Sequence, residues 1–294
     1  MKRSEFIKAM ALLPVAPYVM NLNDLNNIAS AGGKTERMPA LFIGHGSPMN
    51  GIEDNEFTKP WQELGRKLPK PKAVLIVSAH WLTKGTHVTA MSQPKTIHDF
   101  GGFPKALFDV QYPAPGDPAV AAQTKAIITS VEVGLDHEWG LDHGAWTIAK
   151  HIYPHADVPV LQLSIDYNKP PQYHYNLGKE LGALRKKGVL ILGSGNMVHN
   201  LRMVAFDKMN AGEYGFDWAL EMKDKFHKNI SNYNHKPLID YESMGPAAKL
   251  AIPTPDHYYP LMYTLGMQEK GEEVRIFNDK AVAGSLTMTS VQIG

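Results

Sequence analysis

Four short apolar segments restrict the folds open to this chain more than any other feature of its sequence. Each is rich in β-branched residues and apolar on both of its faces, whereas a strand with one side in water alternates apolar with polar residues. Strands of this kind form the interior of a sheet that is covered on both faces. The four segments are PALFIG (residues 39–44), AVLIVSA (73–79), VPVLQLSI (158–165) and GVLILGSG (188–195).

Helical patterns lie between and after these strands. Residues 117–130 carry the clearest start signals, because Asp117 can cap the helix and Pro118 suits its first position. A final strand is predicted within residues 284–294. Strands alternating with helices predict an α/β fold, a single domain over residues 38–294 with a mixed central sheet covered by helices on both faces. The other predicted helices lie within residues 142–154, 170–188, 216–230 and 255–266.

Residues 1–37 differ from the rest and are predicted to be a signal-like or disordered N-terminal arm. A short basic start, MKRSEFIK, precedes AMALLPVAPYVM, which is too short and too interrupted by proline to span a membrane. The small residues of ASAGG follow, as before a signal cleavage site. This order favours export to the periplasm, and the alternative is a loosely docked arm on a cytoplasmic protein. No later segment is long and apolar enough to cross a bilayer.

Composition narrows the chemistry. The net charge of +1 argues against a nucleic-acid-binding surface, which normally carries a basic excess. The absence of cysteine excludes disulfides, thiolate metal sites and cysteine nucleophiles. With 13 histidines in the chain, a transition metal would be held by imidazole and oxygen ligands. The sequence carries no clear signal of oligomeric state.

Three histidines lie at the ends of three of the apolar strands. His45 directly follows the first strand, His80 ends the second, and His199 follows the fourth after a glycine turn. In open α/β sheets, ligands bind outside the carboxyl ends of the strands. One such histidine would more often bond to loop backbone, but three in one sheet indicate a shared pocket. Because imidazole is the commonest metal ligand, we predict a metal centre.

Further histidines are candidates for the same pocket. His257 follows two prolines and is predicted to open an apolar helix, and His143 likewise opens a helix. For His143 the alternative is a capping or packing role near Trp146. His98 lies in a glycine-aromatic loop that either lines the pocket or simply turns. The remaining histidines are predicted to be solvated or structural, namely His87, His137, His151, His155, His174, His227 and His235.

Two glycines flank the first of these histidines. Gly44 and Gly46 surround His45, and glycine permits sharp turns and close approach of the backbone. We therefore predict that one of them has a positive φ or packs where no side chain fits, so that the strand end presents His45 inward.

Other catalytic signatures are missing from the sequence. It contains no G-x-S-x-G nucleophile elbow, no P-loop and no H-E-x-x-H zinc-protease motif. GSGNMV follows a strand, but no G-x-G-x-x-G unit with a downstream acidic residue is present, so dinucleotide binding is disfavoured. A metal centre remains the favoured hypothesis.

Eight segments follow one another along the chain: MPALFIGHGSPMN, SAHW, TIHDFGGFP, YPAPGDP, DHGAW, QLSID, GSGNMVHNL and PTPDHYYPL. Together they resemble the class III extradiol ring-cleavage dioxygenases of the DOPA 4,5-dioxygenase type, those with a catalytic B-subunit-like domain. The resemblance covers residues 38–294 and leaves out the N-terminal arm.

This resemblance implies a single α/β domain with one mononuclear non-haem metal. By motif, His45, His80 and His257 match metal ligands. His199 matches a pocket position as either a ligand or the catalytic acid/base, and His143 matches a second pocket histidine, the other candidate for the acid/base.

The identity of the metal stays open between Zn²⁺ and Fe²⁺. Iron sites for such chemistry usually combine two histidines with one carboxylate, whereas the third ligand by motif here is a histidine, with Asp256 beside it. An all-histidine set also suits zinc. We therefore expect zinc in the isolated protein and a requirement for ferrous iron in dioxygen chemistry.

The reaction implied by the resemblance opens a DOPA-like catechol with O₂ beside the diol, giving a semialdehyde. The substrates are thus a small aromatic diol and dioxygen, and a neutral histidine removes a catechol proton. Phe100, Phe103 and Trp81 are candidates to pack against the ring. The alternatives are a zinc-dependent hydrolase, in which the metal activates water, and a non-enzymatic metal-binding relative of the same fold.

Overall fold

The structure, a computed structural model, describes residues 37–209 and 211–294. These residues contain ten strands and nine α-helices. The arm predicted over residues 1–37 lies outside the described residues except for Arg37, and it stays a prediction. The strands are β1 Ala40–Gly44, β2 Ala73–Thr83, β3 Thr86–Thr89, β4 Val133–Asp136, β5 Val160–Asp166, β6 Val189–Gly195, β7 Val274–Phe277, β8 Ala281–Val282, β9 Leu286–Thr287 and β10 Ser290–Ile293.

Eight of the strands form one sheet in the order β4-β3-β5-β2-β6-β1-β10-β7. The neighbours β5, β2, β6 and β1 run parallel, while β10 is antiparallel to β1 and β3 is antiparallel to β5. The four strands predicted from the apolar segments are these four parallel neighbours. The prediction of an α/β domain with a mixed central sheet is therefore confirmed.

All five predicted helices are present. Asp117 caps its helix by accepting hydrogen bonds from the main-chain N–H groups of residues 119 and 120, at 2.9 and 3.0 Å. His257 does not open its helix but lies in the turn before it, two residues ahead of Tyr259. The helices are α1 Thr58–Lys67, α2 Lys105–Phe108, α3 Pro118–Ile127, α4 His143–Ile152, α5 Pro171–Arg185, α6 Asp217–Ser231, α7 His235–Ile239, α8 Pro246–Ala251 and α9 Tyr259–Gly266.

Helices cover the sheet on both faces, as predicted. Alternate residues of each strand point to opposite sides, so β1 buries Leu41 in one core and Phe42 in the other. Trp61 of α1 and Trp146 of α4 pack in the first core, and α5 and α9 cover the second.

The C-terminal segment differs from its prediction as one strand. It divides into β9, which pairs with β8 in a separate two-stranded sheet, and β10, which joins the main sheet beside β1. Among the described residues, no helix is both long enough and apolar enough to cross a membrane.

Candidate metal centre

The carboxyl ends of β1, β2 and β6 bring the predicted histidines together. His45 directly follows β1, and His80 lies near the end of β2. The turn that carries His257 is held against the end of β6, because the main-chain N–H of Asn196 donates to the carbonyl of His257 at 2.9 Å. Parallel strands end at the same edge of a sheet, so three distant parts of the chain meet there.

His45, His80 and His257 form a nearly equilateral cluster. Their ring centroids are 5.0 to 5.2 Å apart, and each offers a ring nitrogen within 4.8 Å of the others. The Nε2 atoms of His45 and His80 are 3.2 Å apart. Two nitrogens bound to one tetrahedral ion at about 2.05 Å would lie about 3.3 Å apart, so this spacing matches shared coordination.

Glycine is required on both sides of His45. Gly46 has a φ of +63°, which only glycine adopts readily. At Gly44 a Cβ atom would stand 2.6 Å from the main-chain carbon and oxygen of Met288, so no side chain fits. The predicted reason for these glycines is thus confirmed.

The outer ring nitrogens of two of these histidines have hydrogen-bond partners. Ser194 Oγ donates its one hydrogen to the carbonyl of Gly144 at 2.6 Å. It can therefore only accept a hydrogen bond from His45 Nδ1, which lies 3.0 Å away. His257 Nδ1 contacts the carboxylate of Asp256 in the same way. Both rings therefore carry their proton on Nδ1 and leave Nε2 bare, the arrangement typical of a metal-ligating histidine.

Asp99 is the site residue that sequence reasoning missed. Its Oδ1 accepts the main-chain N–H of His143 at 2.8 Å, and its Oδ2 lies 3.0 Å from His143 Nδ1 and 3.4 Å from His80 Nδ1. Within the motif TIHDFGGFP, the sequence offers His98 as the residue that could line the pocket. That ring instead bonds through Nε2 to the carbonyl of Val110 at 2.9 Å and does not line the cleft.

His143 lies beside the cluster at the first position of α4. The helix start is anchored by Asp142, whose buried carboxylate accepts from Ser78 Oγ at 2.7 Å and from Gln162 Nε2 at 2.6 Å. The ring of His143 is 4.0 Å from that of His80, centroid to centroid. It lines the cleft, so it lies in the pocket and does not merely pack against Trp146.

His199 lies on the other side of the cluster. Its ring stacks on that of His257 with centroids 3.5 Å apart and planes 10° from parallel. It groups with Asp256 and His257 as a possible set of ligands, and not with His45 and His80. The structure therefore brings all five candidate histidines into one cleft, with three at its centre and one on each flank.

Burial keeps three of the imidazoles in this cleft neutral, those of His45, His80 and His199. It lowers the pKa of His45 well below the usual value, and the neighbouring His80 and His257 add to the effect. Burial and the adjacent His143 do the same for the pKa of His80. Burial together with His257 lowers the pKa of His199 to about 3. Neutral imidazoles present lone pairs, which is what a metal ion requires.

The two carboxylates beside the cluster stay ionised. Burial works against ionisation of Asp99, yet the hydrogen bonds and charge of His143 lower its pKa. Burial likewise opposes ionisation of Asp256, and its hydrogen bond with His257 lowers its pKa overall. The site therefore combines neutral nitrogen donors with two nearby negative charges, which favours a cation.

The cluster forms the floor of a cleft of about 800 Å³. Of the three aromatic residues considered for contact with a substrate ring, only Phe103 lines it. Phe100 packs edge-on against His143 at 5.6 Å. Trp81 was wrongly included: it is buried and stacks on Trp139 at 5.7 Å, because its side chain points to the opposite side of β2 from His80.

The donors present fit a divalent metal. Three imidazoles offer ring nitrogens within 4.8 Å of one another, and Asn196 adds an oxygen acceptor to the cleft wall. Asn196 is 1% exposed and donates through Nδ2 to the carbonyl of Thr287 at 2.8 Å, while its Oδ1 has no hydrogen-bond partner among the described residues. A ligand that donates a hydrogen bond would satisfy this oxygen.

Comparison with known proteins identifies the class of enzyme. Residues 39–289 match the model of the catalytic LigB subunit of aromatic ring-opening dioxygenase. The chain belongs to this family, and the predicted class III extradiol dioxygenase resemblance is confirmed. Members of this family are enzymes that act on an aromatic substrate with O₂, and membership implies a metal.

Individual relatives agree with this assignment. The chain is 48% identical over 262 residues to a protein of Escherichia coli K12 named 4,5-DOPA dioxygenase extradiol, covering 88% of this chain and 95% of that one. A protein of Beta vulgaris with the same name is 34% identical over 267 residues, covering 88% and 97%. The solved structure of an uncharacterised protein from Escherichia coli K12 superposes with a TM-score of 0.75 at 42% identity, covering 88% of this chain and all of that one (100%).

Proposed function

We propose that this chain opens a DOPA-like catechol with O₂ beside the diol, giving a semialdehyde. The relatives named for 4,5-DOPA support this substrate class. The observation that carries the proposal is the cleft in which five histidine rings meet, three of them with ring nitrogens within 4.8 Å of one another.

His45, His80 and His257 are the proposed ligands of one divalent metal. His199, stacked on His257, is either a fourth ligand or an acid/base. Zinc and ferrous iron both suit the nitrogen set, and zinc is the ion expected in the isolated protein. Ferrous iron, when bound, supplies the redox chemistry with O₂ that zinc lacks.

The other residues of the cleft bind the catechol and accept its proton. Apolar side chains such as Phe103 and Met288 line the walls and would exclude water from the ring. One of two imidazoles, that of His143 or that of His199, takes a proton from a catechol hydroxyl, which is general-base catalysis. The Asn196 Oδ1 atom is an acceptor for a hydroxyl that keeps its proton.

Metal reconstitution tests this function. The protein is stripped of metal, loaded anaerobically with ferrous iron or zinc, and mixed with a panel of catechols including DOPA, with the monophenol tyrosine as the matched control. We expect oxygen uptake and a semialdehyde chromophore only with iron and only with catechols. If the iron-loaded protein consumes no oxygen with any catechol, the proposal is wrong, and ester or amide hydrolysis by the zinc form would favour a hydrolase instead.

A further inference from the structure

The loop that carries Asp99 is fixed to the start of α4. The main-chain N–H of Ile97 donates to the carbonyl of Leu141 at 2.7 Å, and the carbonyl of Ile97 accepts from Trp146 Nε1 at 2.9 Å. Because Leu141 and Trp146 flank the first turn of α4, Asp99 is held next to His143 by contacts that do not involve its own side chain.

The geometry points to Asp99 as a positioning residue that sets the tautomers of His80 and His143 together. Its carboxylate is docked on His143 at two points, since Oδ1 takes the main-chain N–H at 2.8 Å and Oδ2 takes the ring at 3.0 Å. The same Oδ2 lies 3.4 Å from Nδ1 of His80. One oxygen thus faces the outer nitrogens of two different rings.

A carboxylate only accepts hydrogen bonds, so His143 places its proton on Nδ1. At 3.4 Å the negative charge on the same oxygen attracts the proton of His80 to Nδ1 as well. Nε2 of His80 is then bare where it faces Nε2 of His45, and Nε2 of His143 is bare to accept a proton. Asp99 would in this way fix the tautomer of a proposed metal ligand, His80, and that of a proposed acid/base, His143. This inference rests on the proposed roles of His80 and His143.

The contacts argue against Asp99 as a metal ligand in its own right. His80, Asp99 and His143 do lie close enough to be considered as a set of ligands. However, both oxygens of Asp99 are engaged by His143, and the nitrogen of His80 that lies 3.4 Å from Asp99 is Nδ1, not the Nε2 that faces His45. The two roles require opposite tautomers, so they can be distinguished by experiment.

Asp99→Asn is the informative substitution because it preserves shape and removes an acceptor. If the amide oxygen keeps the main-chain N–H of His143, the NH₂ group faces the two Nδ1 atoms and drives their protons to Nε2. If the amide is rotated the other way, its NH₂ group faces the main-chain N–H of His143, so that two donors meet and the hydrogen bond between them is lost. Asp256→Asn is the comparison: the carboxylate of Asp256 contacts the ring of the proposed ligand His257 and is hydrogen-bonded to Thr254. The exposed Asp109→Asn is the matched control.

Two measurements test the inference without any assay of activity. In the zinc-loaded protein with ¹⁵N-labelled histidine, long-range ¹H–¹⁵N spectra give each tautomer, and loss of the signal in His143→Gln assigns that ring. We expect the His143 ring to carry its proton on Nδ1 in the wild-type protein and on Nε2 in Asp99→Asn. The zinc dissociation constant, measured by chelator competition, should rise about 10–100-fold in Asp99→Asn and in Asp256→Asn but not in Asp109→Asn.

The turnover number kcat then distinguishes the effect of replacing Asp99 from the effect of replacing Asp256. At saturating ferrous iron, Asp99→Asn should lose about 10²-fold or more in kcat, because the proton acceptor is affected as well as a ligand. Asp256→Asn should lose less than about tenfold under the same saturating conditions. A wild-type His143 found as Nε2–H, or an Asp99→Asn protein with unchanged zinc affinity, would overturn the inference. The wild-type spectrum decides this even if the variant does not fold or no catechol is turned over.

Discussion

Gly44→Ala is the substitution whose effect on the site can be worked out most directly. Gly44 is the last residue of β1 and immediately precedes His45. A Cβ atom at this position would be 2.6 Å from the main-chain carbon and oxygen of Met288, and 2.9 Å from its Cα. Backbone cannot swing aside as a flexible side chain can, so β1 and the segment before β10 must separate.

The size of the displacement follows from these distances. Ordinary contact begins at 3.4 Å, so the backbone around Gly44 must move by about 0.8 Å. Overpacking of this kind costs about 1–3 kcal/mol of folding stability. Metal sites tolerate ligand displacements of only about 0.2 Å, and a misplacement of about 1 Å can cost about 10²-fold in rate. We therefore expect the metal site to suffer more than the fold.

The assay compares zinc affinity, ferrous turnover and urea unfolding in the same preparations. Gly182→Ala in α5 is the control, because the nearest atom to its added Cβ would be 4.0 Å away and alanine is favoured within a helix. We expect Gly44→Ala to lose at least tenfold in zinc affinity while it still unfolds cooperatively, and Gly182→Ala to match wild type in both site measurements. A Gly44→Ala protein with wild-type zinc affinity and kcat would refute this reasoning.

Four further predictions concern the ligands, the acid/base, the arm and a buried histidine outside the site. Single alanine variants of the proposed ligands His45, His80 and His257 should each show lowered metal content in elemental analysis. Full occupancy in all three variants would reject this ligand set. Replacing the acid/base, His143 or His199, with glutamine should lower kcat about 10²–10⁴-fold with metal retained; if His199→Gln loses its metal, His199 is a ligand. If both variants keep metal and near-normal turnover, the acid/base mechanism is wrong. A chain that begins at residue 36 keeps the ion pairs of Arg37 with Glu269 and Glu272 and should melt like the full chain, whereas a large drop in melting temperature would show the arm to be structural. Burial lowers the pKa of His174 to about 4, so between about pH 6.5 and 4 the unfolded chain binds the proton and the folded chain does not. The free energy of unfolding should therefore fall by up to about 3 kcal/mol as pH drops through that range, and His174→Gln should remove this part of the slope in urea titrations; an unchanged slope would contradict the assignment.

The centre of the sheet was predictable and its edges were not. β1, β2, β5 and β6 are buried on both faces, so their apolar runs identify them without knowledge of the fold. The strands β3, β4 and β7 have four residues each, and β4 and β7 include exposed or half-buried positions, so their patterns resemble loops. Their place in the sheet is decided by pairing with distant strands, which no local pattern records.

The same contrast holds within the site. The histidines were found because they follow recognisable strands, and strand ends gather ligands. Ser194 and Asp99 were missed as partners because each acts on a ring far away in the chain: Ser194 on His45, 149 residues distant, and Asp99 on His143, 44 residues distant. Which of the neighbours His98 and Asp99 points into the cleft depends on how their loop docks on α4, and composition carries no information on that.

The surrounding carboxylates bear on the departure from the usual iron site. The usual iron site combines two histidines with one carboxylate, whereas the central cluster here consists of three imidazoles. Asp99 and Asp256 supply negative charge one layer further out, through Nδ1 of His80 and Nδ1 of His257, and a carboxylate partner raises the basicity of a ligating imidazole. Three uncharged imidazoles would leave the positive charge of a bound divalent ion to the catechol oxygens, and this would favour loss of their protons. On this argument the outer carboxylates strengthen the proposed histidine ligands, and these ligands leave the charge of the metal to the substrate, so Asp256→Asn should weaken metal binding more than it weakens catechol ionisation.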